Sequence, residues 1–380
     1  MTEHRRALTR LVGDPAAFLE KSWGRAPALY SSEDGYADLA SRDVFDRLVG
    51  SSSLRYPAFR LVREGVTLPA RDYTRRSGRA AHRIDDLLDP DKVFALFDDG
   101  ATIVLEGMHR YWPELGSFCR QLELSIGHRF QVNAYITPRR AQGFARHSDD
   151  HDVFVVQVWG RKNWVVFDRN EDPEDVLIEQ TLVPGDCLYI PAGFPHAAST
   201  GDVESGHLTI GALTHKGLDV AEEIATLALE DESLREGLDA DPLADIDLTI
   251  TNQLQSLRDR LDSLDHSELK RRVTRRLIRS NQDLMRGQLQ RLEDAAEITD
   301  DTVARIRDGI RWAIITTEDV AHLILPDREL TMPGSLEGSL RMILDGQHRR
   351  IGDLAEELDE PSRLILVRRL IREGVVEIAE

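Results

Sequence analysis

The sequence predicts an α+β protein with a small β-barrel near its centre, and three features carry that expectation. Residues 101–217 hold short runs rich in β-branched and aromatic residues, bounded by Gly, Pro, Asn or Asp. After Lys216 the apolar residues recur at helical spacing. The chain then closes on three helical segments and a strand-like run, VVEIAE. The expected organisation is a mixed N-terminal region (1–100) that completes the barrel domain, the barrel core (101–217), a helical domain (218–325) and a terminal module (326–380).

In the first region, DPAAFLEKSWG predicts a helix capped by Asp14, and RDVFDRLVG a second one ending at Gly50. LRYPAFRLVREG alternates like a strand. RDYTRRSGRAAHR (71–83) is basic and poor in apolar residues; a solvated loop is expected, with the lining or closure of an anionic pocket as the alternative. The core region supplies ATIVLEG, HRFQVNAYIT, HDVFVVQVWG, NWVVFD, DCLYIPAG and HLTIGALT as strands, with one helix around WPELGSFCRQLELSIG. Many short strands at close spacing favour a sandwich or barrel over a parallel sheet.

Beyond it, GLDVAEEIATLALEDESLREGL and VTRRLIRSNQDLMRGQLQRLEDA have helical periodicity, and Leu254, Leu257, Leu261 and Leu264 fall on one helix face. These helices form either an internal bundle or a dimer interface. SLRMILDG, RIGDLAEELD and PSRLILVRRLIREG, the last ended by Gly374, read as helices before the final strand, the element order of a winged helix. From Leu336 to Glu380, seven Arg face ten Asp or Glu. A DNA reader would be basic, so a structural or protein-contact role is expected.

The formal net charge is −19, with 41% hydrophobic and 30% charged residues, the composition of a soluble globular protein. Such a surface repels nucleic acid and anionic membranes and attracts basic partners, or simply maintains solubility. No stretch approaches the ~20 apolar residues that cross a bilayer, and MTEHRRALTRLVGD lacks the apolar run of an export signal. Cys119 and Cys187 are the two cysteines, so no disulfide framework is expected. A cytoplasmic protein without membrane or nucleic-acid partners is expected.

Two segments concentrate the chemistry. In ARHSDDHDVFVVQVWG, His147 and Asp149 stand two residues apart, which on a strand puts an imidazole and a carboxylate on one face. Such a pair is common by chance. LVPGDCLYIPAGFPHAA carries Gly185, Pro191, Gly193 and His196 in the pattern G-x5-P-x-G-x2-H, characteristic of double-stranded β-helix (cupin) barrels. Here a tight turn over Val183–Asp186 leads into a strand, and Gly193 with Pro195 turns His196 inward.

Two imidazoles and one carboxylate form a three-ligand face with open positions, which suits Fe(II). The lack of thiolates argues against structural zinc. The plainer alternative is three buried, hydrogen-bonded polar residues. His151 is expected to fall outside the site because Asp-Asp-His-Asp is turn-like, Asp150 and Asp152 to serve in turns and caps, and His207 to stand behind the ligands.

An Fe(II) oxygenase draws two electrons from a cosubstrate, commonly 2-oxoglutarate, whose far carboxylate needs a fixed cation and hydroxyl donors. Lys162, after the Gly160-Arg-Lys turn in an otherwise apolar run, is the candidate cation, with Arg161 as the alternative facing the other way. Taken alone, Lys162 could be a surface lysine. Tyr135 offers a hydroxyl, and Asn133 and Thr137 share its strand face.

The runs NAYITP, QGFARHSDDHDVFVVQVWGRKNW and PGDCLYIPAGFPH together resemble the JmjC-type ribosomal oxygenases, cupin-like proteins that hydroxylate a histidine or arginine of ribosomal proteins. The resemblance is specific over 131–196 and architectural elsewhere. It implies a JmjC barrel, a helical dimerisation domain and a C-terminal winged helix, in a homodimer acting on a basic ribosomal protein. It also implies that His147, Asp149 and His196 bind iron, that Lys162 holds the 2-oxoglutarate tail, and that Tyr135 lies beside it. A lysine at 162 and the segment DGATIVLEGMHRYWPELGSFCRQLE look more like the histidyl-hydroxylase branch than the arginyl one. Rival expectations are N-methyl-lysine demethylation, tailoring of a peptide product, or, from another class, a non-catalytic cupin that binds or regulates.

Overall fold

The computed structural model describes residues 6–379 apart from 52, 78–82, 143, 170–174, 239 and 280–286. The chain divides into two units, Met1–Thr214 and His215–Glu380. Among the described residues no helix is long and apolar enough to cross a membrane.

The first unit starts with α1 (Arg6–Val12), whose Ala7, Leu8, Leu11 and Val12 are buried. In the next helix, α2 (Pro15–Lys21), Asp14 caps the N-terminus by accepting from the Ala16 and Ala17 N–H groups. Strand β1 (Ala28–Ser31), helix α3 (Arg42–Ser51) and strands β2 (Phe59–Arg63) and β3 (Val66–Thr67) follow. The basic segment expected as a loop contributes β4 (Thr74–Ser77), which pairs with β5 (Ile84–Leu88); its residues 78–82 lie outside those described. Then come α4 (Pro90–Asp98), β6 (Thr102–Leu105) and α5 (Pro113–Ile126), the last ended by Gly127 at φ 88°.

The remaining strands are β7 (Arg129–Thr137), β8 (Phe144–His147), β9 (Asp152–Gly160), β10 (Lys162–Phe167), β11 (Val176–Leu182), β12 (Asp186–Ile190), β13 (His196–Ser199) and β14 (Ser205–Leu213). They form an eight-stranded sheet, β1-β12-β9-β14-β7-β6-β2-β3, and a four-stranded sheet, β11-β10-β13-β8. Val153 and Val155 of β9 and Leu188 and Ile190 of β12 pack against Trp164 and Val166 of β10, so the two sheets face each other. On the other face of the large sheet, Phe130, Val132, Phe154, Leu208 and Ile210 pack with α1, α2 and α5. Both faces of β9 are therefore covered, which explains its continuous apolar run. Each fully buried Phe, such as Phe130 or Phe154, contributes about 1.5–3 kcal/mol by burial.

The second unit begins as expected with helices α6 (Gly217–Ala228), α7 (Ile246–Asp262) and α8 (His266–Ile278), and α9 (Gln288–Asp294) follows. Asp245 and Asp265 cap α7 and α8. The helical expectation for 218–325 fails beyond this point. Strands β15 (Val303–Ile306), β16 (Ala313–Thr317), β17 (Val320–Ile324) and β18 (Glu329–Pro333) follow instead. Their β-branched runs, VARI and AIITT, favour extended backbone, and Glu318 at φ 50° makes the turn between β16 and β17. The unit ends with α10 (Glu337–Ile343), the short strand β19 (Arg349–Arg350), a 3-10 turn over Ile351–Glu356, α11 (Glu360–Arg372) and β20 (Val376–Ile378). β15 pairs with both β19 and β20.

Candidate metal centre

Strands β8 and β13 lie side by side with His147 directly opposite His196. Asp149 sits just past the end of β8, so a shared strand face does not deliver it. The Gly193 N–H does so instead, donating to the Asp149 carbonyl at 2.8 Å and tying the two ligand-bearing loops together. Gly193 adopts φ 82° at that turn, a conformation glycine reaches without strain. The tight turn ahead of β12 also forms: Asp186 N–H donates to the Val183 carbonyl, with Gly185 at φ 101°.

Nε2 of His147 is 4.0 Å from Oδ1 of Asp149, and Nε2 of His196 is 3.7 Å from Oδ2. All three ligand atoms lie within 4.8 Å of one another, the one such cluster among the described residues. Each histidine places Nδ1 against a backbone carbonyl, Ala145 at 2.9 Å for His147 and Phe194 at 3.0 Å for His196. A carbonyl can only accept, so Nδ1 holds the proton and the Nε2 lone pair faces the centre. Burial, against the opposing Phe194 hydrogen bond, lowers the pKa of His196 and favours the neutral, ligating form. The His147 side chain is 42% exposed and that of His196 5%, so the centre opens on one side.

Behind the ligands, a cavity of about 210 Å³ lies between the sheets, lined by Arg60, Tyr135, Val153, Val155, Lys162, Trp164, Ala198, His207 and Thr209 with the three ligands. Lys162 is 3% exposed, and its Nζ donates to Thr137 Oγ1 at 3.0 Å. No carboxylate compensates it among the described residues, and burial lowers its pKa to about 7. A buried ammonium with no counter-ion is a site that an anion would satisfy. Just ahead of Lys162, Gly160 permits the close approach of the end of β9 to the start of β14: at φ +66°, a Cβ there would lie 1.8 Å from the Glu204 carbonyl oxygen. Burial raises the Tyr135 hydroxyl to about 12, so it remains a donor.

His147, Asp149, His196, Lys162 and Tyr135 therefore share one cavity. Asn133 and Thr137 do not line it. Asn133 Oδ1 accepts the Gly107 N–H, and its side chain also bonds Tyr135; Thr137 holds Lys162. Arg161 is exposed, and His151 pairs with Asp150 outside the lining. Asp152 is buried, with Tyr189 and Ala192 donating to it, so it locks β9 and β12 rather than capping a turn. Arg60, which pairs with Glu106 at 2.6 Å, and Thr209 are residues that sequence reasoning missed, since neither belongs to a motif.

Residues 110–220 match the JmjC domain family. The chain is 30% identical over 201 residues to the bifunctional lysine-specific demethylase and histidyl-hydroxylase NO66 of Culex quinquefasciatus, covering 48% of this chain and 30% of that protein. It is 28% identical over 271 residues to ribosomal oxygenase 1 of Danio rerio, covering 64% of this chain and 48% of that one. It thus spans under half the length of these curated relatives. In fold it is similar to YcfD, a ribosomal oxygenase from Escherichia coli, with TM-score 0.61 at 17% identity over 97% of this chain and 98% of that one. A structure of YcfD in complex with cobalt and 2-oxoglutarate superposes with TM-score 0.59 at 17% identity, over 96% of this chain and 98% of that one. Residues 110–220 are thus similar to JmjC domains, and the chain shares its fold with a ribosomal oxygenase along nearly its whole length.

Proposed function

We propose that the protein is an Fe(II)- and 2-oxoglutarate-dependent oxygenase that hydroxylates a histidine or arginine side chain of a ribosomal protein. The carrying observation is a three-ligand metal face and an uncompensated buried lysine in one cavity. His147, Asp149 and His196 would hold the metal through Nε2 and carboxylate oxygens. Lys162, steadied by Thr137, would take the distal carboxylate of the 2-oxo acid, with the Tyr135 hydroxyl beside it. Bound there, iron and the 2-oxo acid supply the oxidation that turns a substrate C–H and O2 into C–OH, with succinate and CO2 as coproducts. The apolar walls Val153, Val155 and Ala198 exclude water from that chemistry.

The histidyl outcome is favoured by Lys162 and by the naming of the NO66 relatives as histidyl-hydroxylases. Those names also carry lysine demethylation, which supports a second reading with the same metal chemistry. We read α6–α8 as a dimerisation element, because α7 buries none of its residues, and the segment from α10 to β20 as a winged helix. The protein's place of action is read as the cytoplasm.

Mass spectrometry of ribosomal proteins from parent and deletion strains tests the function. A +16 shift on one histidine or arginine, absent from the deletion and restored by the wild-type gene but not by His147→Ala, is the expected result. Metal-loaded protein that forms no succinate from 2-oxoglutarate with ribosomal protein would overturn it.

A further inference from the structure

We propose that Arg60 is a specificity-determining residue: its fixed guanidinium, standing at the open end of the metal cavity, admits a neutral substrate side chain and turns away a cationic one. The proposal rests on reading the cavity as the site of a protein-hydroxylating oxygenase.

Exposure sets the direction of the cavity. Lys162 and His207 are 3% and 2% exposed, whereas the side chains of Arg60 and His147 are 25% and 42% exposed. All four line the same cavity. Its closed end therefore lies at Lys162, where Thr137 accepts from Nζ. A substrate side chain enters past His147 and Arg60.

Arg60 reaches this end from β2, opposite Val104 of β6, which in turn pairs with Tyr135 of β7. The β2–β3 hairpin closes on the strand of the first ligand: a Cβ on Gly65, at its turn, would lie 3.4 Å from the Ala145 backbone nitrogen of β8. Arg60 and His147 thus stand on two elements that meet at the mouth. The guanidinium is braced there, because Nε donates to Glu106 at 2.6 Å and Nη1 lies 3.5 Å from Thr67 Oγ1. Glu106 is outside the lining, so Arg60 turns a positive charge to the cavity.

An incoming guanidinium or ammonium would meet that like charge at short range while shedding its own water. A neutral imidazole carries neither cost. Arginine is charged at every working pH, and methylation leaves the charge of a lysine in place. Both are turned away on this account, which separates the histidyl outcome from its two rivals by charge alone.

Peptide calorimetry with Mn(II)- and 2-oxoglutarate-loaded protein at about pH 8, where no turnover occurs and imidazole is neutral, tests this. The probe is a synthetic peptide around the ribosomal residue that gains the +16 shift, made with histidine, arginine or N-methyl-lysine at that position. Wild type is expected to bind the histidine peptide about tenfold or more tightly than either cationic one. Arg60→Met should tighten the cationic peptides and bring all three within about threefold, a gain that misfolding does not produce. Arg60→Lys, which keeps the charge, should preserve most of the gap. A gap that survives in Arg60→Met, or that Arg60→Lys loses as fully, would overturn the proposal. So would a wild-type protein whose modified residue is arginine, and the oxygenase reading would then stand. Wild type that binds Mn(II) and 2-oxoglutarate yet oxidises no ribosomal protein would overturn the proposed function itself, and this proposal with it.

Discussion

His147 and Lys162 represent opposite ways for a site residue to meet its surroundings. His147 is 42% exposed, so its removal leaves little cavity. His147→Ala is accordingly expected to abolish tight metal binding, read by metal content after dialysis, while thermal stability of the metal-free protein changes by under about 1 kcal/mol. Lys162 is buried, and burial lowers its pKa from 10.5 to about 7. Between those values the unfolded chain holds a proton that the folded one has lost, so this group makes stability rise with pH from about 7 toward 10.5. Below about pH 7 both states are protonated and the full cost of the buried charge, on the order of 5 kcal/mol, is present. Lys162→Met should therefore raise the Tm of the ligand-free protein more at pH 6.5 than at pH 9.5. Saturating 2-oxoglutarate should raise the Tm of the wild type alone, with affinity falling above pH 7 as the ammonium deprotonates. An equal Tm difference at both pH values would contradict the buried-charge account. The ligands and Lys162 were legible because each sits in a motif or in an anomalous polar position within an apolar run. Arg60 and Thr209 were not, since distant strands deliver them to the cavity.

At the scale of elements, β6, β7, β9, β10, β12 and β14, which build the two-sided core, were legible as β-branched and aromatic runs bounded by turn residues. Of the two strands that present the histidine ligands, β8 (FARH) was read only through the His147–Asp149 spacing, and β13 (HAAS) was not read as a strand. Their polar positions are spent on metal chemistry, so function has erased the apolar alternation that announces a strand. Two glycines separate the turns around them. At Gly193 a Cβ meets nothing within 4 Å, so Gly193→Ala should cost about 1 kcal/mol through φ +82° alone. It should still weaken metal binding, because relaxing that strained turn shifts the backbone N–H that holds Asp149. At Gly160 the added Cβ would meet the Glu204 backbone at 1.8 Å, and the strands must part. Gly160→Ala should cost about 3 kcal/mol or more in urea unfolding and displace Lys162, lowering 2-oxoglutarate affinity as well. Similar unfolding midpoints for the two variants would refute this distinction.

The whole molecule was partly legible: the change of texture near Lys216 matches the division at Thr214, whereas the strands over 303–333 were hidden behind an expectation of continued helix. The helical segment itself supports the last expectation. Ile246, Ile250, Leu254 and Leu261 lie on one face of α7 and are 47%, 51%, 48% and 37% exposed, while Leu257 between them packs toward Leu227 and Leu264. Contiguous exposed apolar residues along a helix mark a surface that a partner covers, and a second copy of the same face satisfies the symmetry of a twofold interface. The wild-type chain is therefore expected to scatter light as a dimer at micromolar concentration. Ile250→Glu with Leu254→Glu places charges in the centre of that face and should give a monomer with unchanged Mn(II) and 2-oxoglutarate affinity, since neither residue lines the metal cavity. A double variant that remains dimeric would move the interface elsewhere on the chain. A monomeric wild type would leave α7 without the partner inferred for it.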